Sequence, residues 1–312
     1  MNKRERLQCA MNGQKPDRVP VSIYQHSTVH NRGVDEFTTY TINFYRKFDP
    51  DYVKVMYDEL YDTPVNYQFV SDPSVWSLLE DLDPHEGALG RYLLSLKKIR
   101  ASVSPDTPVI ATIFSPLHIA IRLAWGRIHE DYENARNDLY RGLKTITSNL
   151  VSFVSAAKKE AGIDGFFVGA YGAETKWFSQ TEYVDLELAN DKLLLEAMKD
   201  LPFVILHIHG EHDSYFDLLS EYDCTAFSWE DRLAGPDLAS ARKKTPKCLV
   251  GGIDHVKAKS SSTQVIYDQA REAIAMTGGA GFVLSPGCTF LEGTPIDNML
   301  VLKTAAEDAA KG

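Results

Sequence analysis

Eight short apolar, β-prone runs punctuate the 312-residue chain, and the segments between them carry apolar residues at spacings of three and four. The runs are Arg18 to Tyr24, Tyr52 to Asp58, Pro108 to Ser115, Gly165 to Tyr171, Phe203 to Gly210, Cys224 to Glu230, Lys247 to Asp254 and Gly281 to Cys288. Tyr140 to Ala161, Thr181 to Asp200, Asp213 to Glu221 and Thr263 to Thr277 read as amphipathic helices. Strand and helix in alternation are the signature of parallel βα units. Eight such units predict an α/β fold, a (β/α)8 TIM-like barrel rather than a doubly wound open sheet. No linker, low-complexity tract or further repeat interrupts the pattern, so residues 1–312 read as a single domain with an N-terminal helical extension. Asp62 to Ala101 is extra material after the second run, expected to form a lid of short helices over one barrel end.

Barrel chemistry sits where strands end at their C-termini, so the residues there are read together. They are Gln25 and His26, Asp58, Ser115 and His118, Tyr171 and Glu174, His207 and His209, Trp229 to Asp231, Asp254 and His255, and Cys288. Residues two apart on a strand share a face, so His207 and His209 project together, and Cys288 closes a later run. A single histidine in such a run is usually a core residue bonded to backbone, and a single cysteine an ordinary buried one. An HxH pair and a cysteine at two strand ends instead favour a metal site, and two imidazoles with a thiolate suit zinc. No Walker motif, no GxGxxG after the first run and no GxSxG is present.

A formal net charge of −10 repels nucleic acid and anionic membranes, and excludes both as main partners. No stretch approaches 18 uninterrupted apolar residues, and the amino-terminal segment is charged. Cys9, Cys224, Cys248 and Cys288 are scattered without a CxxC pair, which predicts free thiols or ligands and a cytoplasmic protein.

Seven stretches resemble the uroporphyrinogen decarboxylase superfamily, over about residues 1 to 309. They are NKRERLQCAMNGQKPDRVPV, DPDYVKVMYD, IFSPLHIAIRLAWG, AGIDGFFVGAYGAE, ILHIHG, the tail CLVGGIDHVKAKSSSTQVIYDQAREAIAMTGGAGFVLSPGCTF, and GTPIDNMLVL. The tail is the most specific: Gly-Gly-Ile-Asp, a helix, Gly-Gly-x-x-Phe, Pro-Gly-Cys, then Thr-Pro-x-x-Asn. The superfamily holds haem-pathway decarboxylases and zinc-dependent, corrinoid-linked methyltransferases, and its fold is a TIM-like barrel.

The resemblance also separates the branches. Decarboxylases carry an arginine-rich loop after the first strand, whereas IYQHSTVHN here has no arginine before Arg32. Arg122 stands at or near a tyrosine of that branch, Ala170 replaces its serine, and Cys288 replaces its tail histidine; Asp58 alone persists. The methyltransferase branch has His-x-Cys after the fifth strand and a tail cysteine as zinc ligands. His207 and Cys288 match those positions, and His209 stands where a cysteine is usual. A site with two nitrogens and one sulfur is less electron-rich, which favours a Lewis-acid or hydroxide role over an activated thiolate.

The resemblance thus implies a zinc enzyme moving a methyl group between a small molecule and a corrinoid (cobalamin) carried on a partner protein, with a homodimer common among relatives. Asp58 and Glu174 are the expected catalytic acids. His26, His118, Arg122, Tyr171, Trp177 and Trp229 are expected to bind substrate. Two further readings are a decarboxylase or other lyase, with Arg122 anchoring a carboxylate, and a non-catalytic corrinoid- or metal-binding subunit.

Overall fold

Seven of the eight runs are regular strands in the computed structural model, which describes residues 1–59, 61–64, 67–210 and 212–311. They are β1 (Val53–Val55), β2 (Val109–Phe114), β3 (Gly165–Ala170), β4 (Phe203–Ile208), β5 (Ala226–Trp229), β6 (Cys248–Ile253) and β7 (Phe282–Pro286). All pair in parallel, each with its neighbour in sequence, from β1 to β7. A parallel sheet with strands in sequence order is consistent with a TIM-like barrel.

The first run departs from expectation, because Pro20 removes a ladder donor and confines the segment to isolated bridges. Val21 bridges Leu284 and Gln25 bridges Phe290. Ser22 N–H donates to Leu284 O and Leu284 N–H to Pro20 O, while on the other side Asp51 N–H donates to Val21 O, each at 2.9 Å. The segment therefore lies between β7 and the approach to β1.

Helix α1 (Lys3–Met11) precedes this segment and α2 (Val34–Phe48) follows it. A capping box between Asn2 and Glu5 starts α1. After β1 comes α3 (Gly87–Ala101); after β2, α4 (Pro116–Ala124), α5 (Ile128–Asn134) and α6 (Arg136–Ala156). Then α7 (Gln180–Leu186) and α8 (Leu188–Met198) follow β3, α9 (Phe216–Leu219) β4, α10 (Leu238–Lys244) β5, α11 (Thr263–Thr277) β6 and α12 (Ile296–Lys311) β7. The helix expected over 181–200 is two, because the backbone leaves helical geometry at Glu187, whose buried carboxylate accepts from Leu117 N–H at 2.7 Å. The helix expected over 213–221 contracts to α9.

The stretch Asp62 to Ala101 is not all lid. Its second half, α3, is the crossover helix from β1 to β2: the Tyr92 hydroxyl donates to Thr112 O at 2.9 Å, and its ring stacks on Tyr57. Only the residues before α3 are extra. Among them a 3-10 turn, Pro73–Leu78, buries Trp76, whose indole donates to Asp131 at 2.8 Å. The ring lies so close to Gly142 that a Cβ there would sit 2.6 Å from it, so the insertion docks on α6 only because residue 142 lacks a side chain.

Strands buried on both faces feed two apolar clusters. Ile110, Phe167, Phe203, Ile205, Ala226, Val250 and Val283 pack together, joined by Leu7, Ala10 and Met11 of α1. The larger cluster packs the intervening strand residues against the helices. Asp51, 1% exposed, pins α1 to the sheet: it accepts from Arg6 at 2.8 Å, Arg18 at 2.7 Å and Val21 N–H at 2.7 Å. Among the described residues no helix is long and apolar enough to cross a membrane.

Candidate metal centre

Period-two alternation decides which side chains meet. Lys54 of β1 and Asp58 beyond its end, Thr112 and Phe114 of β2, Phe167 and Gly169 of β3, and His207 of β4 with His209 just after it all face one cavity of about 420 Å³. His26, His118, Arg122 and Cys288 also line it. Gly169 leaves the room that its neighbours fill, since a Cβ there would lie 3.0 Å from the Phe114 ring and 3.8 Å from His118 Nδ1.

At one wall His209, Glu230 and Cys288 each offer a donor atom, and the three lie within 4.8 Å of one another. Donors on a tetrahedral zinc at ordinary bond lengths are roughly 3.3–3.8 Å apart, so a closure of about 1 Å would complete such a site. Glu230 is buried between two histidines, 3.7 Å from His209 Nδ1 and 4.0 Å from His255 Nε2. Burial, with the Glu230 carboxylate nearby, pushes the Cys288 thiol up from its ordinary pKa. A cation among these groups would offset both penalties.

His207 falls outside that trio. Its Nδ1 is 3.1 Å from Ser228 Oγ, and its buried Nε2 has no hydrogen-bond partner among the described residues. Burial, then the proximity of the titratable groups of His209, Lys54, His255 and His118, holds His207 well below the usual histidine pKa, so it presents a neutral imidazole. Its ring lies 5.8 Å from that of His209. His118 is also neutral, pushed down to about 3 by burial and by Arg122, and its Nδ1–H donates to Gly169 O at 3.2 Å.

Asp58 accepts from His26 Nδ1 at 2.9 Å; burial is the largest influence and raises its pKa, but the His26 bond together with the His26, His30 and Lys54 charges outweighs it and holds the carboxyl below its ordinary value. Arg122 donates to Asp58 O at 3.3 Å. Tyr171 stands edge-on to His209 with ring centroids 4.7 Å apart, and Trp177 backs Tyr171 at 5.2 Å.

Four expected site residues do not line the cavity: Tyr171 and Trp177 stand behind His209, and Trp229 and Glu174 sit elsewhere. Trp229 alternates out of phase with Ser228 and Glu230, so its fully buried ring faces Phe216 of α9 and its indole donates to Pro236 O at 2.8 Å. Glu174, 3% exposed, accepts from His212 N–H and lies under Gly210, away from the cavity. Sequence reading did not single out Glu230 as a ligand or Lys54 at all. The available signal was an ionisable residue in phase with an inward-facing strand position: Glu230 two after Ser228, Lys54 four before Asp58.

The family model of uroporphyrinogen decarboxylase (URO-D) matches residues 52–309, most of the chain and every regular strand. The chain belongs to the uroporphyrinogen decarboxylase family. As a URO-D family member it is 22% identical over 229 residues to the methylcobamide:CoM methyltransferase MtaA of Methanosarcina barkeri, a match covering 69% of this chain and 62% of that one. The MtaA of Methanosarcina barkeri strain Fusaro is also 22% identical, over 227 residues, with the same coverage. The chain thus spans less than two thirds of the curated relatives it matches. Among solved structures, a methyltransferase from Methanosarcina mazei superposes with a TM-score of 0.82 at 17% identity, covering 99% of both chains. That likeness establishes the fold.

Proposed function

We propose that this URO-D family protein is a zinc-dependent methyltransferase, exchanging a methyl group between a small molecule and a corrinoid held by a partner protein. The observation that carries this reading is the convergence of His209, Glu230 and Cys288 on one wall of a ligand-sized cavity, in a relative of methyltransferases named for methylcobamide. His209, Glu230 and Cys288 would hold the zinc, and His207, whose buried Nε2 has no hydrogen-bond partner among the described residues and which lines the same cavity, would be the candidate for a fourth donor. When bound, zinc supplies Lewis acidity to a substrate heteroatom.

The chain's own groups do the rest. Asp58, kept ionised by His26, accepts a proton at its carboxylate as substrate seats. Tyr171 packs edge-on against His209, and the neutral His118 packs against Tyr171 in turn. Arg122 orients substrate from the cavity's α4 side, while Trp177 supports Tyr171 from behind. Glu174 and Trp229 serve the scaffold. The proposal further includes a closed eight-stranded barrel, residues 1–312 as one domain, cytoplasmic residence and a homodimer. A lyase would use Asp58 and Arg122 but give the three-donor cluster no role.

The test is metal content with methyl transfer. Purified protein should carry about one zinc per chain and demethylate methylcobalamin with a suitable acceptor. Cys288→Ser should lose metal affinity by at least tenfold and lose activity while keeping its circular dichroism. Full zinc retention in Cys288→Ser, or wild-type protein that binds no zinc, overturns the reading.

A further inference from the structure

Lys54 is an amine in an unusual place. It sits in the middle of β1, 9% exposed, with Nζ 3.6 Å from the centroid of the Tyr24 ring and 3.6 Å from that of Phe167. Those rings are themselves 1% and 3% exposed. Among the described residues, no carboxylate lies within the 4.0 Å ion-pairing distance of Nζ. Lys54 is among the residues that line the large cavity.

A buried ammonium without a counter-anion is strongly disfavoured. The two ring faces offset only part of that. Burial, tempered by Cys288 and Asp58, accordingly brings the amine down to about 7. The other titratable groups sharing its surroundings are His207 from β4 and Tyr24 from the first run. Lysines desolvated in this way are nucleophiles.

We infer that Lys54 forms a Schiff base with a small carbonyl compound, an aldehyde or α-oxo acid, that enters this cavity. The Nζ lone pair adds to the carbonyl carbon; the oxygen leaves as water with the amine's two protons, and a C=N bond remains. The imine then takes one proton from solvent, and its positive charge rests between the Tyr24 and Phe167 faces, which would otherwise hold the ammonium. At about 420 Å³ the cavity admits a ligand of that size. This chemistry needs no zinc and no corrinoid, so it stands or falls apart from methyl transfer.

The experiment is reductive trapping of the whole protein at pH 7 with pyruvate or glyoxylate and cyanoborohydride, read by peptide mass mapping. At that pH an ordinary lysine is neutral in roughly one part in 2,500 and Lys54 in about half, so Lys54 should gain the adduct on the order of 10³-fold faster than exposed Lys199 or Lys257. Labelling should rise to half its plateau near pH 7. Lys54→Met, checked for folding by circular dichroism, should lose that fast phase alone. Wild-type protein in which Lys54 is unmodified, or labels no faster than the exposed lysines, overturns the inference without reference to any variant.

Discussion

Lys54 and His118, buried beside the cavity, hold energy that a different residue would release. With its folded pKa near 7 and an unfolded value near 10.4, Lys54 binds fewer protons in the folded state. The penalty is full below pH 7, shrinks as pH rises, and is gone above about pH 10.4. The difference is on the order of 5 kcal/mol as an upper bound at neutral pH. Lys54→Met keeps the length and loses the charge, so it should raise the urea midpoint at pH 7 and flatten the rise in stability between pH 7 and 10. A variant less stable than wild type at pH 7 would show that the amine contributes packing worth more than its desolvation. His118 has the same sign at lower pH: its folded pKa of about 3 lies below the unfolded value, so stability falls as pH drops below about 6.5.

Elements are joined here by few, well-buried polar contacts. Asp51 is the strongest, because it ties α1, the first run and the start of β1 together through Arg6, Arg18 and Val21 N–H. Asp51→Ala leaves Arg6 and Arg18 without their buried anion and should cost about 3–5 kcal/mol in equilibrium unfolding. A loss under 1 kcal/mol would mean that α1 is held by Leu7, Ala10 and Met11 alone. Which elements form was largely legible from the chain. Strands buried on both faces read as unbroken apolar runs, and β1 to β7 were found that way. Pro20 sat inside the first run and was the one visible warning that it would not be regular. The His207/His209 pairing followed from the strand period. Glu230 was harder, because its partners are set by how β5 faces β4 and β7, a relation no local pattern carries. Trp229 misled for the converse reason: it lies at a strand end, yet one residue out of phase with the cavity.

At the scale of the whole molecule, the metal would link three distant parts of the chain, β4, the end of β5 and the loop after β7. A ligand that binds only the folded state stabilises it by RT ln(1 + [L]/Kd), or about 2.7 kcal/mol at a hundredfold excess over Kd. Zinc added to chelated protein should therefore raise the melting temperature by several degrees. An unchanged melting curve in wild type would mean that the donors do not close on the ion.

The bridged segment between β7 and β1 has a consequence for how the molecule breathes. Every other junction in the ring is a ladder, whereas this one is stitched by a handful of backbone bonds and by Asp51. Tyr24, one of the two rings that shut water away from Lys54, belongs to that segment. The ring's seam is thus also the wall of its driest compartment. Where the fold opens first, the amine meets solvent first, and amide exchange at Ser22 and Leu284 should run ahead of exchange across β3 and β4.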